Sequence, residues 1–133
     1  MTVILAVLIA ADCLQLATAD RAFSNAKKAG DATGMAMALV FRALERNTGS
    51  VGLASAPCVS IKAVNPEVAA LQQHQDPAGD GAQALNKMIA TELAKQIAAV
   101  GGDPALANEA STFAPGEWLR GLEHNDLNAD FRR

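Results

Sequence analysis

The chain has no tyrosine, one tryptophan and four phenylalanines, so aromatic residues fill only 4% of its 133 positions. Without large rings, a core must be assembled from aliphatic side chains, and half of the residues are apolar. Alanine alone accounts for 29 of them. It joins the highest helix propensity to a small side-chain volume, which favours closely approaching helices over a sheet. The expected fold class is all-α: a small helical bundle with a loop-rich segment near residues 48–65. A chain of this length is expected to form a single core.

Clustered positive charge is also scarce. Lys27-Lys28 and Arg132-Arg133 are the only adjacent basic pairs, and the formal charge is −3. Binding a polyanion requires grouped cations that displace its counterions, so no nucleic-acid partner is expected. The two cysteines, Cys13 and Cys58, form neither a CxxC nor a Cys/His cluster, and no metal or other cofactor is expected. The GxSxG, HExxH, GxGxxG and P-loop patterns do not occur. Ser55, Ser60 and Ser111 have no base beside them in sequence, and His124 sits between Glu123 and Asn125 in a polar stretch that reads as solvated. The chain is therefore expected not to be an enzyme, with no catalytic, cofactor-binding or metal-binding residue to assign.

What is present begins with an apolar run from Val3 to Ala11, followed by Asp12 and by Ala17-Thr18-Ala19, a pattern of the kind signal peptidase cuts. Residues 1–19 read as a hydrophobic N-terminal segment with the features of a signal peptide, and residues 20–133 as one helical domain. The competing reading makes residues 3–17 a buried amphipathic helix, with Ile4, Leu8 and Ala11 on one side. The run is too short to span a bilayer, which takes about 20 apolar residues. The state of the cysteines follows from this choice. Cleavage after Ala19 removes Cys13, whereas retention lets Cys13 and Cys58 pair in an oxidising compartment.

Breaks at Gly30, Gly34 and Gly49 frame a helix across MAMALVFRALERN, with Met37, Val40, Phe41 and Leu44 on its buried stripe and Arg42, Glu45 and Arg46 off it. Residues 48–65 read as a loop whose one strand-like piece is CVSIKAV. In NPEVAALQQHQDP, Asn65 is suited to cap and Pro66 to open a helix of about ten residues, which stops before Pro77. His74 then occupies the last turn, solvated at the negative end of the helix dipole. A metal site of His74 with Asp76 or Asp80 lacks further ligands. The longest helix is expected over residues 80–100. There Asp80 and Gln83 form a capping box, Leu85, Met88, Ile89, Leu93, Ile97 and Val100 face the core, and Lys87, Glu92 and Lys95 face solvent. Gly101-Gly102 ends it, and Asp103-Pro104 starts a short helix to about Ser111 with Leu106 and Ala110 inward. The tail carries Trp118, Leu119, Leu122, Leu127 and Phe131, which either fold back or offer an apolar patch for a partner or for self-association.

Residues 47–116 carry NTGSVG at 47–52, APC at 56–58, IKAVNPE at 61–67, QDPA at 75–78, GGDPALA and TFAPG. This block resembles small secreted proteins of filamentous ascomycete fungi, labelled effector-like or cell-surface proteins, with no established activity. The resemblance implies an extracellular location and a bond from Cys58 to a downstream cysteine. This chain has no cysteine after Cys58, so neither that pairing nor any site residue carries over.

Together these readings predict a small secreted, non-enzymatic helical protein that acts through a protein or cell-surface partner, effector-like or immunologically active. The alternative is a carrier whose Met35, Met37 and Met88 line a cavity for an apolar ligand. A hydrolase assembled in space from a histidine and a carboxylate is a third reading, narrowed by the presence of only two histidines.

Overall fold

A computed structural model describes residues 11–46 and 48–111. Expectations for residues 3–10, for the turn at 112–116 and for Trp118, His124 and the rest of the tail fall outside the described residues. A 3-10 turn at Ala11–Cys13 leads into α1, Leu14–Lys28. There follow α2 at Ala32–Ala43, a one-turn α3 at Pro66–Ala69, α4 at Ala82–Ala99, and a 3-10 helix at Pro104–Ala110. The described part is all-α, with no strand among the described residues.

The boundary expected after Ala19 falls inside α1. Leu16, Ala19 and Phe23, spaced by three and four, are the buried face of this helix, and Cys13 just before it is also buried. A three-residue link turns the chain into α2, where the Asp31 carboxylate accepts the Gly34 amide proton at 2.9 Å and so satisfies one donor of the first turn. α1 and α4 both pack on α2, and the closing 3-10 helix lies against α4 and α2.

Being covered on two sides, α2 buries a wider arc than a single stripe. Ala36, Leu39, Val40, Arg42 and Ala43 are buried, whereas Met37 and Phe41, expected inside, are exposed. Alanines mark the centre of this arc, and a pattern weighted towards large apolar side chains is rotated away from it. α4 corrects the sequence reading in a similar way. Its buried line is Ala82, Asn86, Ile89, Leu93 and Ile97, with Leu85 and Val100 half-buried against the core, while Met88 is 70% exposed.

The capping box of Asp80 and Gln83 does not form. Gly81, at φ 71°, occupies the N-cap position without a side-chain cap, and both Asp80 and Gln83 are exposed. The far end is close-packed: a Cβ on Gly102 would lie 2.9 Å from both Ala36 Cβ and Ile97 Cγ2. Asp103 then caps the 3-10 helix by accepting from the Ala105 amide at 2.9 Å, with Ala107 and Ala110 buried and Leu106 half-buried.

The helix expected to run from Asn65 to the residue before Pro77 stops after one turn. From Leu71 the chain has no regular secondary structure, and it runs between the end of α2 and the start of α4. CVSIKAV is not a strand. From Ile61 to Val64 its side chains do alternate between half-buried and exposed, but no neighbouring strand is present among the described residues to complete a ladder. Cys58 is disulfide-bonded to Cys13, with Cα atoms 4.7 Å apart, so the loop is tied to the beginning of α1.

Candidate functional site

The polar interior of the molecule gathers on residues 73–76, whose side chains reach different neighbours. Gln73 and Gln75 point to the 52–56 loop, while His74 between them points to the end of α2. Gln73 Nε2 donates to Ser55 Oγ at 3.1 Å and to the Ala56 carbonyl at 3.2 Å. Ser55 Oγ and the Ser55 amide both donate to Gln75 Oε1, at 3.2 and 2.8 Å. The Gly52 amide donates to Asp76 Oδ2 at 2.8 Å, and the Ala78 amide to Asp76 Oδ1 at 2.9 Å. These two backbone donors hold the Asp76 carboxyl below its ordinary range, because they bond the charged form.

On the opposite side, Asn86 from α4 bonds the backbone of Gln75 reciprocally. Its Oδ1 accepts from the Gln75 amide, and its Nδ2 donates to the Gln75 carbonyl, both at 2.8 Å. A segment outside regular secondary structure thus has backbone groups satisfied by a helix side chain. Arg42 Nη1 reaches Gln73 Oε1 at 3.3 Å. Burial, and after it the charge of Arg46, lowers the Arg42 guanidinium from its ordinary value, although an arginine stays cationic.

His74 is the most deeply buried of these groups, at 1% exposure, and not the solvated residue expected from the sequence. Its backbone amide donates to the Ala43 carbonyl at 2.9 Å, and its ring Nδ1 lies 2.6 Å from the same oxygen. A carbonyl only accepts, so Nδ1 carries the proton and Nε2 the lone pair. Nε2 is buried with no hydrogen-bond partner among the described residues. Burial depresses the imidazole's affinity for a second proton, an effect that the Ala43 bond partly opposes. The Ser55 hydroxyl is engaged by Gln73 and Gln75, and the His74 ring by Ala43. The two are not hydrogen-bonded to each other, and no nucleophile–base pair results.

Further contacts fix the two ends of the long loop. Gln15 Nε2 donates to the Phe41 and Leu44 carbonyls at 2.9 Å each, satisfying acceptors at the end of α2. Arg46 donates to the Asp12 carbonyl at 2.8 Å and to the Ala56 carbonyl. Asn65 does not cap α3 with its side chain. Its Nδ2 donates instead to Asp20 Oδ1 at 2.7 Å and to Ser24 Oγ at 2.8 Å, and the Asp20 carboxylate also receives the Val64 and Asn65 amides.

Sequence reasoning missed Ser55, Gln73 and Asn86 as a group, and one signal was available for Asn86. It falls on the apolar line Ala82, Ile89, Leu93, where a polar side chain has to meet a buried polar partner. Among the described residues, no group of three His, Cys, Asp or Glu is placed to hold a metal ion, and no helix is long and apolar enough to cross a membrane. Comparison of the chain with known protein families, curated proteins and solved structures finds no match to any of them.

Proposed function

We propose that this chain is a small secreted, non-enzymatic protein that acts through contact with a protein or cell-surface partner, an effector-like or immunologically active component. The observation that carries the reading is the loop at residues 48–65. Val51, Val59 and Val64 are 89%, 83% and 79% exposed, and Leu53 is exposed with them. Exposed aliphatic side chains on a segment fixed by a disulfide and by buried hydrogen bonds are presented in a defined arrangement, and their ordering cost is met before any partner arrives. The Cys13–Cys58 bond supports an oxidising compartment. The carrier reading has less support. Met37 and Met88 are exposed, and Met35 alone of its three methionines packs against the core.

The test compares the wild-type protein with the triple variant Val51→Ser, Val59→Ser, Val64→Ser. Labelled protein is applied to intact cells and to extracellular protein from its natural surroundings. The expected outcome is saturable binding by wild type that falls at least about tenfold in the variant, equivalent to about 1.4 kcal/mol, at unchanged melting temperature. Equal binding by the two proteins overturns the assignment to this loop. Recovery of the chain only from inside cells, with both thiols free, overturns the secreted reading.

A further inference from the structure

The loop that spans residues 52–56 is attached to the helical body chiefly through residues 73–76. Gly52 bonds Asp76, Ser55 bonds Gln73 and Gln75, and Ala56 bonds Gln73. Beyond these, Arg46 reaches the Ala56 carbonyl, and Cys58 is covalently joined to Cys13. Residues 73–76 in turn hold to α2 through the two bonds from His74 to the Ala43 carbonyl and the bond from Arg42 to Gln73. They hold to α4 through Asn86. His74 therefore sits at the root of a clasp.

We propose that this clasp is an acid-released device: addition of a proton to His74 at Nε2 disengages residues 73–76 from Ala43 and frees the 52–56 loop, while the Cys13–Cys58 bond keeps that loop tethered. Because Nδ1 already carries the proton donated to Ala43, the second proton has only Nε2 to occupy. That atom is buried and has no hydrogen-bond partner among the described residues. A buried cationic donor with nothing to bond is costly, and release to water removes the cost.

The surrounding charges offer no relief. From α2 and its C-terminal extension come Arg42 and Arg46, both cationic. Asp76, on the clasp itself, has its two oxygens engaged by Gly52 and Ala78. Glu45 is exposed, and its carboxyl is raised above its ordinary value by partial burial and by the charge of Asp76. α4 meets the clasp with the uncharged Asn86. α3 carries Glu67, whose Oε2 is also buried without a hydrogen-bond partner; no bond joins it to His74.

The direction of the effect follows from proton binding. The folded imidazole binds a proton less readily than the unfolded or released one, so the released state holds more protons below the ordinary histidine value near 6.5. Closure is at full strength above that pH. It weakens as pH falls through 6.5 and levels off below the lowered value of the closed state. Asp76 titrates in a separate window, at and below the ordinary carboxylate range. Phe23, Leu39, Leu93 and Ile97, fully buried at the centre of the helical body, come from α1, α2 and α4 and not from the clasp. Local opening is therefore available without global unfolding. The device does not depend on what the loop contacts.

Amide hydrogen exchange on the intact, disulfide-bonded chain between pH 4.5 and 7.5 tests the proposal. After correction for intrinsic rates, the opening equilibrium of the Ser55, His74 and Gln75 amides is expected to rise by up to about tenfold per pH unit below 6.5. Leu93 and Ile97 amides are expected to keep their protection. In His74→Phe, which retains a ring of similar size and the backbone bond to Ala43, the pH dependence between 5 and 6.5 should vanish. An identical pH profile in that variant overturns the proposal, as does loss of protection at all amides together. If His74→Phe does not fold, an NMR titration of the His74 ring in wild type decides. A ring that titrates at or above 6.5, or that titrates without any change at the Ser55 and Gln75 amides, overturns the proposal equally.

Discussion

Two regions of this molecule are held together by different physics. The helical body, α1, α2 and α4, is closed by aliphatic and alanine contacts, with Phe23, Leu39, Leu93 and Ile97 fully buried at its centre. The segment from residue 48 to 79 contains one helical turn and buries few large apolar groups. It is fastened by a disulfide, by the Asp20 carboxylate, and by a mesh of glutamine, serine, asparagine and histidine side chains. Apolar packing is non-directional, its attraction being spread over many weak contacts. A polar mesh is directional, and each group that loses its partner in the interior carries a full desolvation penalty.

The largest expected effect breaks the first region. Leu93→Ala should lower stability by about 2–5 kcal/mol, read as a shift in the urea midpoint at constant m-value. A smaller loss would mean that the Ala-lined core collapses into the space. Replacing both Cys13 and Cys58 by Ala should cost about 2–4 kcal/mol, given a closed loop with a sequence separation of 45. The loss should appear first as faster exchange at loop amides, with helical circular dichroism retained. Asn86→Ala, which removes both Asn86 bonds to the Gln75 backbone, should cost about 1–3 kcal/mol. Asn86→Leu should be no better, although it adds apolar volume. A leucine variant as stable as wild type would show that apolar packing can hold the clasp as well as hydrogen bonds do.

Much of the helical body was legible in the residues. The alanine content pointed to helices, the Ile89, Leu93, Ile97 spacing placed α4 in the core, Gly101 marked its end, and Asp103 with Pro104 marked the start of the last helix. The departures on the helix faces share one cause. Met37, Phe41 and Met88 are large, apolar and helically spaced, but which arc of a helix is buried depends on what packs against it. Ala36, Ala43 and Ala82 gave no signal of the buried arc, because alanine is at home on either face. His74 was misplaced because the pattern around Pro66 starts a helix without fixing its length. The chain leaves helical geometry after α3, and the alternation of Gln73, His74 and Gln75 then assigns each a different neighbour. Asn65 was recognised as a helix-starting residue, but its side chain is drawn to Asp20, a group 45 residues away.

The helical character, the positions of two long helices and the lack of a recognised catalytic pattern can all be read from the residues alone. Those properties arise from local propensity and periodicity, which each segment carries wherever it is placed. That Cys13 reaches Cys58, that the chain runs as one helix through Ala19, and that His74 is buried with its proton on Nδ1 are settled by the folded chain. Each of these depends on groups distant in sequence arriving at the same point, and on the exclusion of water that follows when they do.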